Sequence, residues 1–361
     1  MPTPPRTLLF LPLLLACLAG APAGAQTNAA SQSPSRQACH AVSARTCHIA
    51  HDLGRGINLG NMLDAPNEGD WGVRLEDRYI DLAAQHFRTV RLPVRWSNHA
   101  APTADATLDE RFARRVDTAI EALLARGLYV ILNVHHYTQI TGGTLHPKEF
   151  AVDPAVMETR LENLWRQLAR RYASHSGRLL FELLNEPHDR LEGERWNRLA
   201  ARLLSQVRQT NPQRTVIIGP GQWNHPRALP QLRLPADRDL LVAIHSYDPY
   251  DFTHQGVPWR AEPLPAGKPC CDRQQREQIE QALDSAMRWN ARHGVPVHLG
   301  EFGAYQAADM ASRARYARLV RQEAELRGIG WAWWELASDF SGLYDPQAGA
   351  WREPLMRALM E

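Results

Sequence analysis

Leu179-Leu180-Phe181-Glu182-Leu183-Leu184 runs without a break into Asn185-Glu186-Pro187. A short, mainly apolar run that ends in polar residues and a proline reads as a strand buried on both faces. The segment before it, Leu161 to Tyr172, sets Leu161, Leu164, Trp165, Leu168 and Tyr172 on one helical stripe. Amphipathic helix, buried strand and polar loop make one α/β unit, and the unit recurs on both sides. Strands are expected at Gly56–Leu59, Thr89–Pro93, Tyr129–Val134, Leu179–Leu184, Thr215–Gly219, Leu241–His245, Val297–Gly300 and Gly330–Trp334. Helices are expected at Arg111–Leu124, stopped by Gly127, at Arg315–Leu326, and at Glu353–Met360, which finishes the chain. Eight strands alternating with helices over about 300 residues predict an α/β fold, a (β/α)8 TIM barrel in a single domain spanning residues 51–361. The alternative, an open doubly wound sheet, lacks a Gly-rich phosphate loop after the first strand.

Ahead of the barrel, Arg6 precedes the apolar run Leu8–Leu18 and then Ala23-Gly24-Ala25, the layout of a signal peptide over residues 1–25 with a soluble, secreted or periplasmic product. The run is shorter than the ~20 residues that span a bilayer. Lipoprotein processing at Cys17, after Leu14-Leu15-Ala16, is the competing route. Residues 26–50, rich in Ala, Ser and Gln, read as an exposed lead-in. Export puts Cys39, Cys47, Cys270 and Cys271 in oxidising surroundings, where four cysteines allow three pairings. A Cys39–Cys47 bond would close a short loop and leave the adjacent pair strained or free. A net charge of +2 gives no reason to expect nucleic acid or an anionic membrane as partner, and a monomer is expected. The 11 tryptophans offer flat apolar faces suited to sugar rings or to a core.

In a barrel of this kind the site lies at the C-terminal ends of the strands, and polar residues collect there. Asn58, Asn61 and Asp64 follow the first strand, and Arg91 and Trp96 the second. His135, His136 and Tyr137 follow the third, and Asn185-Glu186 the fourth. Gln222 and Trp223 follow the fifth, and His245-Ser246-Tyr247 the sixth, with His254 and Trp259 downstream. Gly300-Glu301-Phe302-Gly303 closes the seventh, and Trp333-Trp334-Glu335 the eighth. Packing alone does not explain a polar or aromatic group at one end of nearly every strand. Glu186 and Glu301 both follow apolar runs, where an unpaired charge is costly. Paired site carboxylates account for them; the competing accounts are ordinary surface residues or a structural pair satisfied by Arg91. No H-E-x-x-H and no G-x-S-x-G occurs, so neither a metal hydrolase nor a serine hydrolase is expected, and no metal or cofactor is required.

Taken in order, these blocks resemble glycoside hydrolase family 5, the cellulase and mannanase family of retaining (β/α)8 enzymes. The resemblance rests on Asn185-Glu186-Pro187, on Gly300-Glu301-Phe302-Gly303, and on Arg91, His135, His245, Tyr247 and Trp334. Gly54-Arg55-Gly56-Ile57-Asn58-Leu59-Gly60-Asn61, Ala65-Pro66-Asn67-Glu68-Gly69-Asp70-Trp71-Gly72 and Phe252-Thr253-His254-Gln255-Gly256 resemble its bacterial endoglucanase branch, which includes cellulase–mannanases. The likeness runs from about Gly54 to the C-terminus and implies roles. Glu186 is the expected acid/base and Glu301 the nucleophile, in a retaining mechanism that sets the carboxyls ~5–5.5 Å apart. Arg91 and Tyr247 are expected beside Glu301 and His245 near Glu186, with Arg91 lowering the Glu301 pKa. Asn185 is expected at the sugar 2-hydroxyl, His135 at neighbouring hydroxyls, and Trp334 (or Trp333) as the floor beneath the −1 sugar. Asn61, Asp64, His136, His254 and Trp259 resemble outer-subsite residues, with Trp71 and Trp223 as further stacking surfaces. Asp64 departs from the family's Glu, which bears on glucan against mannan preference. The implied activity is an exported endo-β-1,4-glucanase acting on cellulose-like or mixed-linkage β-glucan. The alternatives are an endo-β-1,4-mannanase, a dual glucanase/mannanase, and a non-catalytic carbohydrate-binding barrel.

Overall fold

A computed structural model describes residues 1–3 and 36–361. The signal-peptide reading and the Cys17 alternative lie outside the described residues. The described residues from 36 to 361 belong to one compact unit. Eight parallel strands close into a barrel in sequence order: β1 Arg55–Asn58, β2 Thr89–Leu92, β3 Tyr129–Asn133, β4 Leu179–Glu182, β5 Val216–Ile217, β6 Leu240–His245, β7 Val297–Phe302 and β8 Gly330–Trp333. β1 pairs with both β2 and β8, which completes the ring. This is the predicted (β/α)8 barrel. The strands are buried along nearly their whole length because helices cover the outside and side chains fill the inside.

The strand ends fall within two residues of expectation, β4 for example stopping at Glu182 rather than Leu184, and two of the differences matter to the site. β5 is only two residues long, so the chain leaves the sheet early and turns through Gln222, Trp223 and Asn224. All three are left-handed, with φ of 54°, 56° and 57°. β7 continues past Gly300 to Phe302, with a register irregularity that pairs His245 with Glu301. Such bulges re-aim side chains at barrel rims.

The helices end where their caps dictate. Asp109 accepts from the backbone N–H groups of Arg111 and Phe112 at the start of Glu110–Ala125. Asp272 and Gln275 form a capping box on Arg273–His293, and Gly294, at φ 67°, closes that helix in the left-handed conformation.

The lead-in is a correction. From residue 36 it is a built part of the barrel rather than an exposed tail. Gln37 donates to Val297 O at 2.8 Å and accepts from Val297 N at 2.6 Å. Ser43 caps a helix, Ala44–Asp52. Ile49, Ala50 and the following Leu53 pack on Tyr129, Ile131, Leu180, Ile217, Leu241 and Ala243, and so plug the barrel at its N-terminal end. The composition of residues 26–50 is polar on average. The plug needs only three apolar residues on one helical face, which an average hides. Cys39 and Cys47, with Cα atoms 5.7 Å apart, are disulfide-bonded, and a second disulfide joins the adjacent Cys270 and Cys271. Among the described residues, no helix is long and apolar enough to cross a membrane.

Candidate active site

The strand ends converge on Arg91. Its side chain, from β2, is wholly buried and forms five hydrogen bonds. Nε and Nη2 donate to the two oxygens of Glu182 at 2.7 and 2.8 Å. Nη2 also donates to Asn185 Oδ1 at 2.6 Å, and Nη1 to Asn58 Oδ1 at 3.0 Å. The last bond, Nη1 to Glu301 Oε1 at 2.6 Å, reaches the cleft. A planar guanidinium with fixed forks is suited to hold several acceptors at set angles.

Glu301 accepts a second bond, from the Tyr247 hydroxyl to Oε2 at 2.9 Å. Glu186 stands opposite. A carboxylate oxygen of each, together with a His245 ring nitrogen, falls within a 4.8 Å group. Glu186 holds a left-handed backbone, φ 48°, directly before Pro187. A non-glycine residue adopts this conformation at a cost, and such outliers mark sites where a side chain must be aimed. His245 lies at 2.8 Å from Glu186 Oε1 through Nδ1, while the buried Asn224 amide faces its Nε2 at 3.3 Å. With Asn224 donating to Nε2, the proton of the neutral ring sits on Nδ1 and points at Glu186. Gly300 leaves room for this ring, since a Cβ there would stand 3.0 Å from His245 Nε2.

The two carboxyls sit in different electrostatic settings. Removal from water pushes Glu186 up to about 7, against weaker pulls from His188 and Arg91. Burial also raises Glu301, and the Glu186 charge adds to it, but His245, Arg91 and the Tyr247 hydroxyl pull it back. The expected lowering by Arg91 is present; burial outweighs it. Glu182 ends below the usual carboxylate range, because Arg91's charge and hydrogen bonds overcome the burial. Burial lowers His245 to about 4, leaving it neutral at ordinary pH.

A cleft of about 1250 Å³ opens over these groups. Trp334 and His135 form one wall, their rings parallel within 8° and 5.6 Å apart. Gly60 accommodates the Trp334 ring, which a Cβ would meet at 2.8 Å. Trp333 points the other way, fully buried against Phe302, so Trp334 rather than Trp333 faces the cleft. His135 Nδ1 lies 3.1 Å from the Asn133 amide, and burial holds its pKa well below the usual value. Asn61 and His136 line the same end, with Trp71 edge-on to His136 at 5.6 Å. At the other end stand Trp223, stacked on His188 at 4.9 Å, and His254, stacked on Tyr250 at 4.1 Å. Trp259 is the most exposed aromatic residue of the cleft, at 59%.

Asp64 stands apart from the others. It is wholly buried behind His136, 3.9 Å from its Nε2, and is not part of the cleft lining. One oxygen accepts from Met62 N at 3.0 Å, and the other has no hydrogen-bond partner. Burial raises its pKa to about 6.

Among the described residues, three groups have the spacing of metal ligands: Cys39–Cys47–His51, whose cysteines are joined in a disulfide, and, at this site, Asp64–His135–His136 and Glu186–His245–Glu301. In Glu186–His245–Glu301, the side chains are already engaged with Arg91, Tyr247 and one another.

Glu182 and Asn224 were not anticipated. Glu182 carried a signal, a lone charge inside the apolar run Leu179–Leu184, which requires a buried partner. Asn224 carried none, because its place depends on the left-handed turn after β5.

A (β/α)8 barrel whose mouth holds two facing carboxyls, one hydrogen-bonded by arginine and tyrosine, above an aromatic wall has the form of a barrel glycosidase site. Residues 55–339 match the family model described as cellulase (glycosyl hydrolase family 5), and the chain belongs to that family. A solved endoglucanase structure superposes with a TM-score of 0.82 at 36% identity, covering 87% of this chain and 99% of that one. Thermotoga maritima Cel5A, solved with mannotriose and with cellobiose, gives 0.81 at 37% identity over 86% of this chain and 99% of that one. Endoglucanase H of Acetivibrio thermocellus is 34% identical over 288 residues, 80% of this chain, and this chain spans 30% of that protein's length.

Proposed function

We propose that this chain is an endo-β-1,4-glucanase that cleaves internal bonds of cellulose-like or mixed-linkage β-glucan with retention of configuration. The observation that carries the reading is the unequal pair. Glu186 has a pKa near 7 and keeps its proton at mildly acidic pH. Glu301 accepts hydrogen bonds from Arg91 and Tyr247 that favour its charged form.

Glu301 attacks the anomeric carbon as the glycosidic C–O bond breaks, and Glu186 gives its proton to the leaving oxygen. Water then attacks the same carbon while Glu186 takes the proton back, and the bond to Glu301 breaks. Neutral His245 orients Glu186 in both steps. Asn185 is held by Arg91 through its carbonyl oxygen, which leaves its amide nitrogen to donate to the sugar 2-hydroxyl. Trp334 is the floor of the −1 subsite. Asn61, His135 and His136 serve the glycone side; Trp223, His254 and Trp259 serve outer sugars; Asp64 acts from behind His136. The export route through residues 1–25 belongs to the same reading.

The test is mutation with azide rescue. Glu186→Ala and Glu301→Ala should each lose several orders of magnitude in rate, and azide should give a β-glycosyl azide only with the Glu186 variant. Wild-type rates from either variant would sink the assignment.

A second activity on mannan is supported by the two ligands solved with the Thermotoga protein, mannotriose and cellobiose. Product profiles on glucomannan, mannan and mixed-linkage glucan decide it. Equal rates on mannan and glucan mean dual specificity.

A further inference from the structure

Glu182 is a fully buried carboxylate that the reaction above does not use. It sits on β4, four residues before Glu186, and takes two of Arg91's donors in a fork. Arg91 reaches Glu301 through a different nitrogen, Nη1, with a single bond. One cation therefore serves two buried anions, and how it is divided depends on both.

The groups around the pair can be named by element. Glu182 is faced by Arg91 from β2, His245 from β6 and His298 from β7. Glu301 is faced by Arg91, by His245 and Tyr247 at and just beyond the end of β6, and by Glu186 beyond β4. His245 and His298 are pushed down to about 4 by burial. They stay neutral above that pH, so the charge balance rests on Arg91, Glu182, Glu186 and Glu301.

We propose that Glu182 is a positioning residue that sets the strength of the nucleophile: by clamping Arg91 in a fork and sharing its charge, it leaves Glu301 a single arginine bond and only part of the cation's field. The physical basis is the low dielectric of the site, where a full, unshared guanidinium would hold Glu301 strongly as a stable anion. A carboxylate stabilised that far is a poorer nucleophile. With Glu182 charged, the buried group of Arg91, Glu182 and Glu301 carries a net charge of about −1 rather than about zero. Both working carboxyls then titrate higher than they otherwise would.

The proposal rests on the assignment of Glu301 as nucleophile, and the test separates the two. The probe is 2-deoxy-2-fluoro-β-cellobiosyl fluoride. Its C–F bond breaks and fluoride leaves with the electron pair as Glu301 bonds to the anomeric carbon, so inactivation needs no acid and reads Glu301 alone. Label on a peptide other than the one with Glu301 overturns the assignment. With label on Glu301, Glu182→Gln should move the acid limb of the inactivation rate down by about one pH unit. The basic limb of kcat/KM on a cello-oligosaccharide, set by Glu186, should move down by less, because Glu186 does not share the arginine bond.

Glu182→Asp withdraws the carboxylate by one methylene and should give a smaller shift in the same direction. It carries the test if the glutamine variant fails to melt cooperatively. A purely structural Glu182 predicts a lower Tm with both limbs unmoved, and that result in either folded variant overturns the proposal.

Discussion

At the residue scale, the proposed acid/base and nucleophile differ in their neighbours rather than in their chemistry. Glu186 has a histidine and little else polar; Glu301 has an arginine and a tyrosine. This predicts a bell-shaped pH dependence of kcat/KM. Activity falls as pH rises through about 7, where Glu186 gives up its proton. It falls on the acid side as Glu301 is protonated, at a pH above the ordinary glutamate value because its pKa is raised. The limbs belong to the coupled pair, so they are macroscopic values. Tyr247→Phe removes a bond that lowers the Glu301 pKa and should move the acid limb upward, opposite to the effect expected of Glu182→Gln. An unmoved acid limb in a folded Tyr247→Phe protein would contradict the assignment of that limb to Glu301. Arg91→Met removes the one guanidinium hydrogen-bonded to Glu182 among the described residues and should cost about 3–5 kcal/mol in urea unfolding, the usual penalty for stranding a buried charge. Residues at strand ends that line the cleft were legible, because they stand where an apolar run stops. Glu182 was less legible, because it is a single charge within the apolar run Leu179–Leu184 rather than at its end.

At the element scale, two short pieces of backbone position the site and a third closes the barrel. The early exit from β5 delivers Trp223 beside His188 and Asn224 beside His245. The irregular pairing between β6 and β7 brings His245 level with Glu301. The helix Ala44–Asp52 plugs the far end of the barrel, with Leu53 completely buried under the strands. Leu53→Ala should lose about 2–5 kcal/mol of stability, the range for a buried leucine replaced by alanine. Because the plug lies at the opposite end from the cleft, kcat/KM measured well below Tm should stay at the wild-type value. A large loss of activity with unchanged stability would mean that the plug acts on the site directly. Helices and strands were legible from periodicity, since each buries one stripe or a whole run. The plug was not, because its three apolar residues are diluted by polar neighbours, and neither a bulge nor a shortened strand leaves a mark in composition.

At the scale of the whole molecule, stability against pH is set by two opposed groups of buried and half-buried residues. His99, His245, His254 and His298 are lowered to about 4, so between about pH 4 and 6.5 the unfolded chain binds protons that the folded chain refuses. Stability from these rises with pH across that window. Asp64 is raised to about 6, and Glu186 and Glu335 to about 7. Their contribution is full below the ordinary carboxylate pKa and is lost as pH rises toward 6 or 7. His135 and His136, lowered well below 6.5, join the first group and Glu301, raised by burial, joins the second, which sets six histidines against four carboxyls. Tm should therefore climb from pH 4 to about 6.5. A Tm that falls steadily over that range would show the carboxylates dominating. None of this can be read from a near-neutral net charge, because it depends on which residues the fold removes from water.

The alternation of buried runs and amphipathic stripes was enough to determine an eight-fold barrel. The barrel rule then placed every strand-end residue at one mouth, and Asn185-Glu186-Pro187 and Glu301 stood out there. These are local signals: hydrophobic periodicity and residue type act over a few positions and survive in the linear chain. Only the tertiary structure decided that Arg91 divides its charge between Glu182 and Glu301, that Trp334 rather than Trp333 faces the cleft, and that Asp64 lies behind His136. It also decided that burial raises both proposed catalytic carboxyls. Desolvation and hydrogen bonding depend on what surrounds a group in three dimensions, and those neighbours come from strands tens to hundreds of residues apart.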